Sequence, residues 1–138
     1  MRSPANPGRF NPENVALVYR HLPHTEASSA AARAAECAAD QGMFWEYHDR
    51  LYSSSSAWQY GNTKELLSVV AATVNVPNMN SFESCLDADG TVPAVTADQT
   101  TASDARITAT PTFLVNGRML RGVLDSVRFD DLYADMRN

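Results

Sequence analysis

The sequence offers no apolar run near the roughly 18 residues that a membrane-spanning helix requires, no glycine-rich phosphate loop and no G-x-S-x-G elbow. It also lacks an excess of positive charge. Eleven lysines and arginines stand against 16 acids, for a formal net charge of −5. That balance excludes the electrostatic footprint of a nucleic-acid or anionic-membrane binder. The acids are dispersed and form no run, so they read as a solvated surface. Cysteine is scarce: Cys37 and Cys85 are the only two, and their spacing excludes a Cys-x-x-Cys redox or metal motif. The three histidines, His21, His24 and His48, have no cysteine or second histidine cluster at ligand spacing, so no metal and no cofactor are predicted. Residues 1–13 hold four Pro or Gly and no apolar segment. They predict an irregular lead-in rather than a secretory signal peptide, compatible with a start partway through a larger reading frame.

What is present is ordinary for a globular chain. Of 138 residues, 44% are hydrophobic and 20% charged, enough for one domain with a core. The run NVALVYRHL (14–22) predicts a buried strand ending at Pro23. The alanine-rich stretch up to Gly42 predicts a helix with Ala30, Ala34, Cys37 and Gln41 on one face. MFWEYHDRLYS predicts a second helix with Phe44, Tyr47, His48 and Leu51 as its apolar stripe, broken by Ser53–Ser56. Asn62 with Glu65, and Asn80 with Glu83, resemble capping boxes opening two further helices, the first carrying Leu66, Leu67, Val70 and Val74 and the second Phe82, Cys85 and Leu86. Residues 91–105 predict another helix, with Pro93 in its first turn. Thr112–Val115, Asn116-Gly117 and Met119-Leu120 predict a β-hairpin. Asp125 or Ser126 then caps a closing helix with Phe129, Leu132, Tyr133 and Met136 on one side. The aromatics Phe44, Trp45, Tyr47, Trp58 and Tyr60 could line a pocket, but at helical spacing they are read as core.

This order, with particular segments, resembles the DsbA family of thiol-disulfide oxidoreductases over about residues 15–136. VALVYRHLP is similar to the family's strand ending in Tyr-Arg-x-x-Pro. AAECAADQGMFWEYHDRLY and FESCLDADG resemble parts of its helical insertion, and ATPTFLVNGRMLRG resembles its cis-proline strand and following hairpin. The resemblance implies an α/β fold: an incomplete thioredoxin-like core interrupted by a mostly helical insertion at 24–104, in a single domain closed by 107–138. It implies that Pro111 is the cis-proline, that Thr110 precedes it, and that this loop pairs with a bound substrate strand. Ala109 and Arg106 stand where the family commonly has glycine.

The family's chemistry needs two cysteines two residues apart at a helix start, and in the family they precede the strand placed here at 14–22. None lies there. The expectation is therefore an N-terminally truncated thiol-disulfide oxidoreductase domain, inactive alone, with no catalytic residue of its own. The alternative is a non-catalytic thioredoxin-like module binding extended peptides or a partner through the Pro111 loop. Cys37 and Cys85 could form a redox pair, a stapling disulfide or two buried thiols; the disulfide is the reading taken. By resemblance the partners are protein thiols or extended peptides, without nucleic acid or metal, and the location is extracytoplasmic, in the periplasm or cell envelope. The missing strand leaves an exposed sheet edge, so the isolated chain is expected to be marginally stable, or to dimerise or aggregate through that edge.

Overall fold

The protein is described from a computed structural model covering residues 16–61 and 63–137. Two compact units divide the chain between Gln99 and Thr100.

The first unit is helical. α1 (Glu26–Ala39) forms because alanine loses least on entering a helix. Its start is fixed by a reciprocal cap: the Thr25 hydroxyl accepts from the Ser28 N–H, and the Ser28 hydroxyl accepts from the Thr25 N–H. Gly42, at φ +75°, follows its end. Next come α2 (Phe44–Ser53), a short α3 (Ser55–Trp58) inside the serine run, α4 (Thr63–Thr73) and α5 (Met79–Asp87). The expected cap at Asn80 is corrected to Asn78, whose side chain accepts from the Ser81 N–H at 2.9 Å. Asn62 lies outside the described residues, as does the lead-in at 1–13.

Residues 16–24 correct the predicted strand. Residues 14 and 15 lie outside the described residues, and 16–24 join no ladder. A β-branched run becomes a strand only with a neighbour to pair with, and among the described residues of this unit none pairs with it. Tertiary bonds replace the ladder. The His21 N–H donates to Asp98 Oδ2 at 2.9 Å, and Arg20 Nη1 donates to Asp98 Oδ1 at 3.1 Å.

The core collects Ala34, Cys37 and Ala38 of α1, Phe44, Trp45, Tyr47 and Leu51 of α2, Leu67 and Val70 of α4, and Phe82 of α5. Tyr47 and Phe82 are both fully buried, with ring centroids 5.6 Å apart. The Tyr47 hydroxyl donates to the Leu67 carbonyl at 2.9 Å. Burial holds this phenol well above its usual range by disfavouring the phenolate. The folded state therefore keeps its proton where an unfolded tyrosine ionises, near pH 10. Tyr47 contributes its full stability below about pH 10 and loses it as pH rises further. Tyr47→Phe should unfold more easily at pH 7 by about 1 kcal/mol, for the lost hydrogen bond. In urea titrations its stability should also fall less steeply than the parent's above about pH 10.

α6 (Pro93–Asp104) runs across the division into the second unit. There β1 (Thr112–Val115) pairs antiparallel with β2 (Arg118–Arg121), in the register Thr112↔Arg121, Phe113↔Leu120, Leu114↔Met119 and Val115↔Arg118. Asn116 and Gly117 both take left-handed φ, +49° and +82°, as a two-residue hairpin turn demands. α7 (Ser126–Arg137) closes the unit, with Asp125 Oδ1 accepting from the Arg128 N–H at 2.9 Å. Phe113 meets Phe129 edge to face at 5.5 Å, which places α7 against the Phe113 side of the hairpin.

Candidate peptide-docking edge

The Thr110–Pro111 peptide bond is cis, and both residues are exposed. The Pro111 carbonyl accepts from the Gly122 N–H at 2.9 Å, extending the hairpin ladder one step past β1. In an antiparallel ladder successive residues turn their polar groups to opposite edges. Pro111, Phe113 and Val115 therefore face β2, while Thr110, Thr112 and Leu114 present their N–H and C=O groups to the other edge. Among the described residues the N–H and C=O of Thr110 have no hydrogen-bond partner. The Thr112 hydroxyl donates to the Ala109 carbonyl at 2.7 Å and closes the loop.

The two edges of the hairpin differ. β2 begins and ends with exposed arginines, a common guard against strand addition. β1 reads Thr-Phe-Leu-Val with no charge and no proline. This edge can accept an extended segment through main-chain hydrogen bonds.

Upstream of the loop α6 ends in a left-handed residue, Arg106 at φ +56°; the Arg106 N–H donates to Ser103 O at 3.0 Å and the Ile107 N–H to Ala102 O at 2.8 Å. Glycine takes this conformation without the Cβ penalty. Arg106→Gly is accordingly expected to raise stability by about 1 kcal/mol, read as a higher urea midpoint at unchanged slope.

Cys37 and Cys85 are joined in a disulfide between α1 and α5, with Cα atoms 5.8 Å apart. Both sit in the last turns of their helices, the end whose dipole opposes negative charge, and Cys37 is buried. Since these are the chain's two cysteines, no free thiolate is available to attack a substrate disulfide.

The histidines serve other ends. His21 is buried, its Nε2 lying 2.8 Å from Glu36 Oε1. The His48 ring packs on Tyr19 and Tyr52, at 4.8 Å from each. The His24 N–H is bonded to the Ser28 hydroxyl. Among the described residues no three His, Cys, Asp or Glu side chains gather as a metal site would require. Of the five aromatics weighed as a pocket, Phe44, Trp45, Tyr47 and Trp58 are buried in the core, while Tyr60 is 89% exposed.

Sequence reasoning missed Asp98, the buried acid that fastens Arg20 and His21. It lies 77 positions from His21, and no local pattern marks it. It also missed Arg106, Arg118 and Arg121, which are exposed and make no ion pair or side-chain hydrogen bond among the described residues, in a stretch bounded by Asp104 and Asp125.

A family model described as Thioredoxin matches residues 9–133. The chain is 37% identical over 114 residues to a Na(+)/H(+) antiporter NhaA of Herminiimonas arsenicoxydans, covering 83% of this chain and 18% of that protein. It is 36% identical over 112 residues to Na(+)/H(+) antiporter NhaA 1 of Salinispora arenicola, covering 79% and 16%. A Rickettsia felis protein provisionally named a protein-disulfide oxidoreductase is 29% identical over 105 residues, 75% of this chain and 37% of that protein. The chain thus spans well under half the length of each of these relatives.

Proposed function

The chain belongs to the thioredoxin family, as a DsbA-like member, and from that premise we propose that it is the substrate-docking part of a thiol-disulfide oxidoreductase domain. The exchange itself requires a thiolate and a resolving thiol. Those belong to a Cys-x-x-Cys segment carried elsewhere in the same protein. Thr110 and Pro111 hold the substrate's extended backbone. Cys37 and Cys85 stay oxidised and hold α1 to α5, and the domain 1–138 acts as one, with 24–104 as its helical insertion.

The observation that carries this reading is the exposed Thr110 backbone beside Pro111, whose N–H and C=O have no partner among the described residues, in a chain similar to a provisionally named protein-disulfide oxidoreductase. A persistent structural disulfide requires an oxidising compartment. We place its work at the cell envelope, outside the cytoplasm; the names of the relatives are consistent with envelope association. Its partners are protein thiols presented on extended segments.

The second reading is a docking module without exchange chemistry, favoured by the one fact that both cysteines are locked together. The coding DNA upstream of Met1 separates the two. An in-frame Cys-x-x-Cys segment is the expected finding. A stop codon directly upstream, with no such segment in the transcript, sinks the first reading and leaves the second.

A further inference from the structure

Asn116 and Gly117 form the two-residue turn between β1 and β2, both at left-handed φ and both exposed. Among the described residues neither the Asn116 side-chain amide nor the Gly117 N–H has a hydrogen-bond partner. A Cβ placed on Gly117 would meet nothing within 4 Å. The carbonyl carbon of an asparagine side chain is within intramolecular reach of the next backbone nitrogen. Glycine leaves that nitrogen unshielded, because it carries no side chain.

The other described asparagines, Asn75, Asn78 and Asn80, lack this access. After Asn75 the nitrogen is committed, since the Val76 N–H donates to the Ala71 carbonyl at 3.0 Å. Asn78 uses its side-chain oxygen as the α5 cap, accepting from the Ser81 N–H at 2.9 Å. The same bond occupies the nitrogen that follows Asn80. Valine, methionine and serine follow these three asparagines, and each crowds the approach with a side chain that glycine lacks.

We propose that Asn116–Gly117 is a self-modification site, where the asparagine amide is lost and the turn becomes an isoaspartyl or aspartyl link. The Gly117 nitrogen gives up its proton and attacks Asn116 Cγ. The N–Cγ bond forms, the Cγ–Nδ2 bond breaks, and the amide nitrogen leaves as ammonia with that proton. Water then opens the cyclic imide. Attack at the former main-chain carbonyl gives the isoaspartyl link, and attack at Cγ gives aspartate. Water is the sole co-reactant, and no electrons are exchanged.

The closed turn slows the first step. In the left-handed region the next nitrogen points away from the side chain, so ring closure waits for the turn to open. β1 and β2 are four residues each, and the end of so short a ribbon frays at small cost. An isoaspartyl link adds one carbon to the main chain, about 1.5 Å. A two-residue turn has no room for it, so the pairing Val115↔Arg118 cannot close as before. Neither step depends on the docking reading.

The test incubates the full 138-residue chain and Asn116→Gly at mildly alkaline pH, both native and in urea. Gly-Gly also suits this turn, so the variant keeps the hairpin and removes the reacting amide. Peptide mapping by mass spectrometry, with labelling by an isoaspartate O-methyltransferase, locates the product. The expected result is isoaspartate at residue 116 of the parent, formed about tenfold more slowly in the native chain than in urea. In the native chain Asn75, Asn78 and Asn80 should convert more slowly still, and Asn116→Gly should lose the residue 116 signal. The modified fraction, separated by its added negative charge, should exchange its β1 and β2 amides faster while those of α1 are unchanged. A native chain that keeps Asn116 intact while the urea-unfolded chain reacts overturns the proposal, as does faster native conversion at Asn75, Asn78 or Asn80. Unchanged exchange across the hairpin in the modified fraction overturns the structural consequence.

Discussion

Replacing Cys37 and Cys85 together by alanine is expected to lower the free energy of unfolding by about 4 kcal/mol. The bridge spans a sequence separation of 48, and a loop of that length loses much of its unfolded-state freedom when closed. It ties α1 to α5, two helices that both supply the core. A domain of this size has only about 5–15 kcal/mol in total, so the variant should retain its helical circular dichroism and unfold at much lower urea. Dithiothreitol added to the parent should reproduce the same midpoint. Peptide docking at the hairpin, measured below that midpoint, should not change. An unaltered midpoint would mean that the bridge is not what holds these helices.

Phe82→Ala is expected to cost a comparable amount, about 3–5 kcal/mol. Phe82 is fully buried, packs its ring on Tyr47, and belongs to the core that α1, α2, α4 and α5 share. Truncation removes that apolar surface and leaves a void that close-packed neighbours fill only in part. The melting temperature should fall by at least about 10 °C. Phe82→Leu should recover most of the loss, because volume rather than aromatic chemistry dominates the term. A Phe82→Ala variant melting within a few degrees of the parent would place the core elsewhere.

Much of the fold was legible because its signals are local. Asn116-Gly117 requires two positive φ angles, which only a few residues accept, and the hairpin formed where that pair stands. Alanine propensity marked α1, and apolar spacing marked α2 and α4. Pro93 opens α6, where its missing N–H costs nothing. The failures have long-range causes. The run at 14–22 has strand composition, but its described part bonds to Asp98 instead of to a strand. Ser53–Ser56 reads as a break, yet α3 forms there, anchored by the buried Trp58, whose indole N–H donates to the Leu51 carbonyl at 2.9 Å. Asn80 and Asn78 both suit a helix cap, and composition cannot choose between positions two apart.

The candidate site was legible in kind rather than in detail. Thr110 and Pro111 were marked by the Thr-Pro-Thr-Phe segment and its resemblance to the DsbA family. The direction in which the edge opens, and the contrast between a guarded β2 and an uncharged β1, follow from register, which sequence does not supply. Two cysteines allow a single pairing, so the bridge could be named, but its place at two helix C-terminal turns came from the structure.

The central claim is that this chain docks substrate and does not itself exchange disulfides. Insulin reduction by dithiothreitol, followed as turbidity with the purified 138-residue chain beside Cys37→Ala/Cys85→Ala, tests it most directly. The account predicts that neither protein accelerates precipitation beyond the uncatalysed rate. Acceleration by the parent but not by the double variant would make Cys37 and Cys85 a redox pair and contradict it.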